Sequence, residues 1–253
     1  VYEDSIREEF TQQTDTFATS PAMGAAVVLG KLTELVPEDP SARWLEVACG
    51  PGMIARTLAG RVGSVHGVDL TPAMVERGRA DAAEAGLDNL EFSVGDATAL
   101  EFEDASFDGA ITRFSFHHIP APKRALAEMA RVVRPGGLVV VGDHAADPDR
   151  DANAWAEEIE RLRDPSHWAC LTPARLRAIG EEVGLALDRE ELVPFDLDYA
   201  GWLRRSSGGP GAAELIDRLL EEAPPRAEYF RVSGEGEARR LALRYMLFRW
   251  RRV

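Results

Sequence analysis

The 253-residue sequence contains only two cysteines, Cys49 and Cys170. Two thiols cannot build a disulfide scaffold, and they fit a reducing cytosol. Lysine is almost missing: Lys31 and Lys123 stand alone, and every other strong base is arginine. With the abundant alanine, this suggests a GC-rich bacterial genome. No apolar run approaches the ~20 residues that a membrane span needs. The stretch from Val1 to Phe10 is charged and helix-like, unlike a secretory leader. Positive charge is also scarce, since 29 Lys+Arg face 43 Asp+Glu for a net charge of −14. Phosphate backbones and anionic bilayers repel such a chain, which disfavours nucleic-acid and membrane binding. There is no Gly-x4-Gly-Lys-[Ser/Thr] loop for a nucleoside triphosphate, and no Gly-x-Gly-x-x-Gly turn for a dinucleotide. Neither a His-x3-His helix nor a Cys pair is present, so no metal is expected.

What remains is an ordinary globular composition, 45% apolar and 28% charged. Glu3 to Gln13 carries Ile6 and Phe10 at helical spacing, and Pro21 opens a second apolar stretch that ends at Val36. From Ala42 onward short apolar runs alternate with helical ones. Strands are expected at 43–48, 64–69, 90–94, 107–112 and 138–141, with helices between them. This alternation predicts parallel βαβ units in an open, doubly wound α/β sheet. Helices are expected over 147–163 and 173–183, a sixth strand over 185–193, and a broken helix over 202–222. A last strand falls at 241–250. One domain is expected, made of an N-terminal helical cap (1–41), a binding core (42–143), a helical cover with the sixth strand (144–222) and a C-terminal strand region (223–253).

Three acids lie at three successive strand ends. Glu46 precedes the tight turn Ala48-Cys49-Gly50-Pro51-Gly52, whose small residues permit close backbone approach by a ligand. Asp69 ends the second strand, where a carboxylate accepts side by side from two ribose hydroxyls. Asp96 ends the third strand and suits an exocyclic adenine amine, with Leu70 or Ala97 packing on the ring. A carboxylate-lined adenosine site with no phosphate cradle favours a cationic ligand that carries no phosphate. S-adenosylmethionine meets that description. Arg113, at the mouth of the fourth strand, suits the cofactor's carboxylate or a substrate anion.

From Trp44 to Asp143 the sequence resembles class I S-adenosylmethionine-dependent methyltransferases, in particular the small-molecule enzymes of ubiquinone and menaquinone biosynthesis. The resemblance rests on Leu45 to Gly52, Asp69, Asp96, the segment Asp108 to His118 and the turn Arg134-Pro135-Gly136-Gly137. Ala48 departs from it, standing where the family usually has glycine. The resemblance implies a Rossmann-like, seven-stranded, mostly parallel sheet with an antiparallel last strand and helices on both faces. It implies cofactor contacts from Glu46, Ala48, Gly50, Gly52, Asp69, Leu70, Asp96, Ala97 and Arg113. The segment Arg161 to His167 resembles part of the helical cover over the substrate pocket in some bacterial members.

The expected reaction is methyl transfer to the oxygen, carbon or nitrogen of a small apolar or aromatic molecule, in specialised or quinone-type metabolism. The enzyme is expected to be cytoplasmic, and a monomer or homodimer. His118, His167 and His117 are the candidate bases, histidine being suited to deprotonate a phenol or an activated carbon acid at neutral pH. His144 is a further substrate-side ring, and anchoring of a loop is the alternative role of the His117-His118 pair. His66, inside the second strand, reads as structural, and Cys49 as packing. Phe10, Phe17, Trp155, Trp168, Phe195 and Trp202 are candidate walls of an apolar pocket. A cofactor-binding enzyme of rearrangement or cyclisation would carry the same binding motifs and is the alternative function.

Overall fold

The computed structural model describes residues 2–19 and 26–253. The expected helix start at Pro21 lies outside these residues, as does the side chain of Phe17. Eight strands form one sheet: β1 Asp39–Val47, β2 Val62–Asp69, β3 Leu90–Val94, β4 Phe107–Arg113, β5 Val133–His144, β6 Leu185–Asp198, β7 Phe230–Ser233 and β8 Arg240–Arg252. The order is β3-β2-β1-β4-β5-β8-β6, with β7 also paired to β8. β1 to β5 run parallel, and β8 enters antiparallel between β5 and β6.

The helices are α1 Tyr2–Thr19, α2 Ala26–Thr33, α3 Met53–Leu58, α4 Pro72–Glu84, α5 Pro122–Val132, α6 Arg150–Arg163, α7 Pro173–Glu182, α8 Tyr199–Arg204 and α9 Ala212–Glu221. They cover both faces of the sheet. Leu138 and Val140 of β5 join one buried cluster with α3 and α4, while Val139 and Val141 join a second with α5 and α7. Successive strand residues point to opposite faces, so a wholly apolar β5 is what burial on both sides requires. Helix starts follow local chemistry. Asp149 accepts from the Asp151 and Ala152 amides, both at 3.1 Å, and Thr172 precedes Pro173 in the first turn of α7.

Three details differ from the sequence expectation. The sheet has eight strands rather than seven, because the four-residue β7 folds back on Arg240–Leu243 of β8. β5 begins at Val133, since Val133 pairs with Phe107 before the register shifts and Leu138 pairs with Gly109. β6 runs on to Asp198 through Pro194, a residue that reads as a strand breaker. β6 lies at the end of the sheet order, where a missing amide hydrogen is tolerated.

The C-terminal segment holds eight arginines against three glutamates between residues 226 and 253. Part of this charge is spent on the acidic body: Arg249 meets Asp188 at 2.6 Å and Arg239 meets Asp217 at 2.7 Å.

Gly52 belongs to the packing of the sheet's first crossover. Its φ of +71° lies in the left-handed region, and an added Cβ would overlap the Phe92 ring. Gly52→Ala is expected to lower stability by about 3 kcal/mol, from overpacking and backbone strain together. A chemical-denaturation curve with an unshifted midpoint would refute this.

Candidate functional site

The carboxyl ends of β1 to β4 open into a cavity of about 400 Å³, a size typical of small-molecule sites. It lies beside β1, where the strand order reverses, the usual ligand position in open α/β sheets. Glu46, Asp69 and Asp96 all reach its wall, as do Ala48, Gly50, Leu70, Ala97 and Arg113. Gly52 does not, and its role is the packing on Phe92 described above.

Each acid is anchored by local backbone. Glu46 is 3% exposed and accepts from the Ala55 amide at 2.7 Å. Burial pushes its carboxyl up to about 8, against the pull of that amide and of Arg113. Asp69 accepts from the Gly50 amide at 2.7 Å and the Thr71 amide at 2.9 Å, one at each oxygen. Loss of surrounding water holds it above the ordinary carboxylate value. Asp96 accepts from the Thr98 amide at 2.7 Å and the Thr98 hydroxyl at 2.8 Å. Every carboxylate oxygen has two lone-pair sites, so these tethers still leave acceptor capacity on the wall.

Two residues of the site have left-handed backbone without being glycine. Ala48 has φ +50° and Phe114 has φ +51°. Such residues carry of order 1–3 kcal/mol of strain and cluster at ligand sites. The position where the methyltransferase family usually has glycine therefore keeps the conformation that favours glycine.

A smaller pocket of about 60 Å³ adjoins the cavity. Phe114 and His118 line both, forming a shared wall. Of the three candidate bases, only His118 reaches the larger cavity. Its Nδ1 lies 3.0 Å from the Ser166 carbonyl, a contact that assigns the ring proton to Nδ1, and 3.1 Å from the Ser166 hydroxyl. Burial holds the ring below its ordinary pKa, so it is neutral at pH 7. His117 faces the smaller pocket, and its ring lies 4.1 Å from that of His118. Its Nδ1 meets Asp143 Oδ1 at 2.6 Å, and burial pushes this ring toward the neutral form as well.

His167 lines neither space. Its Nε2 pairs with Glu157 at 2.9 Å, deep in the cover. Burial opposes charge on this ring, but the Glu157 hydrogen bond and nearby Glu160 outweigh it and raise the pKa. Glu157, His167 and Cys170 bring potential metal-ligand atoms within 4.8 Å of one another, a grouping with no signature in the sequence spacing. Glu157 already uses its two oxygens as a strut, on His167 and on the Cys170 amide at 2.8 Å.

The aromatic candidates divide. Phe10 lines the cavity, and Phe195 and Trp202 line the smaller pocket. Trp155 packs on Phe230 and donates to the Leu219 carbonyl at 2.7 Å, while Trp168 is exposed. Sequence reading missed Asp143, Phe114, Arg163 and Arg205. Asp143 had a signal, being a fourth acid at a strand end. Phe114 and Arg163 lie in the segments Asp108 to His118 and Arg161 to His167 that the resemblance singled out, and Arg205 carries no signal.

A mostly parallel sheet with one antiparallel strand between β5 and β6, and carboxylates at successive strand ends, defines a Rossmann-like methyltransferase architecture. Residues 45–141 match the family model described as a methyltransferase domain. The uncharacterized methyltransferase YcgJ of Bacillus subtilis is 28% identical over 218 residues, 86% of each chain. Its crystal structure superposes with a TM-score of 0.83 at 27% identity, covering 90% of this chain and 98% of that one. A demethylmenaquinone methyltransferase of Clavibacter sepedonicus is 34% identical over 116 residues, 46% of each chain. The [4+2]-cyclase SpnF shares the fold, with a TM-score of 0.66 at 20% identity over 90% of this chain and 80% of that one. Residues 45–141 thus carry a methyltransferase domain, for which the sequence resemblance implies S-adenosylmethionine as cofactor.

The cavity's donor set fits that cofactor. It offers three carboxylates for an ammonium, a ribose and an adenine amine, a guanidinium for a carboxylate, and no lysine.

Proposed function

We propose that this methyltransferase modifies a small molecule with an apolar or aromatic body, at an oxygen, carbon or nitrogen centre, in specialised or quinone-type metabolism. The observation that carries this reading is the wall shared by the two spaces. A neutral, buried histidine and an aromatic ring stand between an acid-lined cavity and a small pocket walled by Phe195 and Trp202.

In this reading Glu46, Asp69, Asp96 and Arg113 hold the cofactor, with Leu70 and Ala97 beside its base. When bound, the cofactor supplies an electrophilic methyl group on a sulfonium. The protein's part is to align the acceptor, exclude water and take a proton where the acceptor has one. With Nδ1–H donated to Ser166, proton acceptance at His118 falls to Nε2. Ser166 and Asp164 serve as positioning residues, since Asp164 accepts from the Ser166 amide at 2.9 Å and its hydroxyl at 2.5 Å. His117 is held by Asp143 as a second neutral ring beside the first.

The test is turnover with phenols, quinols and amines, reading S-adenosylhomocysteine and product mass together. One S-adenosylhomocysteine per methylated product is expected. Substrate consumed with the cofactor intact would replace methylation by rearrangement or cyclisation. His118→Ala is expected to cut kcat about a hundredfold while S-adenosylhomocysteine affinity holds within about twofold. His167→Ala should act mainly on melting temperature. Equal kcat losses in both variants would remove His118 from its role.

A further inference from the structure

The smaller pocket carries more charge than an apolar acceptor needs. Arg163 and Arg205 both line it, and both are half-buried. Arg163 lies over the Trp202 ring at 5.0 Å and pairs with Glu160 at 3.3 Å. Arg205 donates to the Gly201 carbonyl at 2.9 Å, and no carboxylate among the described residues lies within 4.0 Å of it. Burial, then the neighbouring Arg163 and Arg204, push its guanidinium down to about 10, with Asp198 and Glu160 acting only partly against this. The group stays charged at neutral pH.

The opposing charges are few. Asp164 also lines the pocket as one negative charge against the two guanidiniums, with its Oδ1 accepting from both the amide and the hydroxyl of Ser166. The remaining polar wall is three histidines, His117, His118 and His144, each pushed toward the neutral form by burial. His144 Nδ1 is buried and has no hydrogen-bond partner, an omission that native structures seldom leave unexplained. Two guanidiniums, an orphaned ring nitrogen and aromatic walls thus surround about 60 Å³ of space. That is roughly the share of two water molecules, enough for a planar carboxylate.

We propose that this pocket is an anion subsite, in which Arg205 and Arg163 bind a carboxylate carried by the methyl acceptor. The inference rests on the reading of the neighbouring cavity as the cofactor's place. It narrows the acceptor class from apolar or aromatic to aryl or alkyl carboxylic acids. A guanidinium fork matches a carboxylate in two parallel hydrogen bonds. Arg205 keeps Nε and Nη2 for such a fork, while Arg163 spends Nε on the Trp202 carbonyl and Nη1 on Glu160, both at 3.3 Å, and adds Nη2 and its charge. The carboxylate would also meet His144, raising that ring's pKa on binding.

The test uses the full chain, with and without S-adenosylhomocysteine. Benzoate, 4-hydroxybenzoate and phenylacetate are titrated by calorimetry against their neutral amides. At least one carboxylate is expected to bind about tenfold or more tightly than its amide. Arg205→Gln should abolish that preference and Arg205→Lys should keep part of it. S-adenosylhomocysteine affinity should hold in both. Nuclear magnetic resonance of the histidine rings should show His144 or His117 titrating at higher pH in the carboxylate complex. The proposal is overturned if no carboxylate is preferred to its amide, or if the preference survives Arg205→Gln. Failure of S-adenosylhomocysteine to bind would instead remove the cofactor placement, and the carboxylate–amide comparison on the ligand-free chain would still decide the subsite.

Discussion

Asp69→Ala is expected to weaken S-adenosylmethionine binding about a thousandfold. The carboxylate has two tasks. It accepts from the Gly50 and Thr71 amides and so ties the glycine turn after β1 to the end of β2. In the proposed placement it also receives the two ribose hydroxyls. Hydrogen bonds to a charged group contribute about 1.5–3 kcal/mol each, so losing two from the ligand gives ~4 kcal/mol, or about three powers of ten. Asp69→Asn keeps the shape and some acceptor capacity but loses the charge, and should fall between wild type and alanine. Calorimetry of S-adenosylhomocysteine binding is the measurement, with thermal melting to show that the turn still folds. Unchanged affinity in a folded Asp69→Ala variant would move the ribose elsewhere.

The second large effect is pH-dependent and centres on Glu46. Its carboxyl stands at about 8 in the ligand-free protein, against a normal value of 4.5. The folded chain therefore holds a proton that the unfolded chain releases. For this group the contribution to folding stability is complete below about pH 4.5 and is lost as pH rises toward 8. A cationic ligand reverses the preference, because it favours the ionised carboxylate. Binding of S-adenosylmethionine should tighten from pH 6 to pH 8, by up to about tenfold per unit, and release a proton. Glu46→Gln should flatten this profile and lower affinity a few hundredfold at pH 8.5, the scale of breaking one buried charge pair. Calorimetry in buffers of different ionisation enthalpy counts the proton. A profile that stays steep in the glutamine variant would assign the titration to another group.

Both effects depend on carboxylates that were visible in the sequence because their setting is local. A short apolar or alternating run with an acid at or next to its end, before a glycine turn or a helix, marks the carboxyl end of a parallel strand. Glu46, Asp69 and Asp96 each satisfy that pattern, and each is held by amides no more than nine residues away or by the adjacent strand's turn. Gly52 shows where such reading overreaches. A glycine beside a ligand loop and a glycine under a phenylalanine ring look the same in one dimension.

The catalytic side was legible only in outline. Four histidines stand in segments expected to face the acceptor, yet their sequence positions do not distinguish them. His118 reaches the cavity because the 3-10 turn Phe116–His118 turns it there and Ser166, 48 residues later, fixes its ring. His167, next to that serine, is instead drawn to Glu157. The Arg161 to His167 segment meets the candidate base through a serine carbonyl and hydroxyl, not through its histidine.

The sequence alone thus determined the α/β class and the acid-bearing strand ends, because these depend on period, turn chemistry and residues near one another in the chain. Tertiary structure decided which histidine meets the cavity, that Asp143 backs His117, and that Arg163 and Arg205 share a pocket with three neutral rings. Those choices join β4, β5, α6 and α8 across long stretches of chain. Only the packing of the cover against the sheet brings them within a few ångströms, and no local pattern encodes that distance.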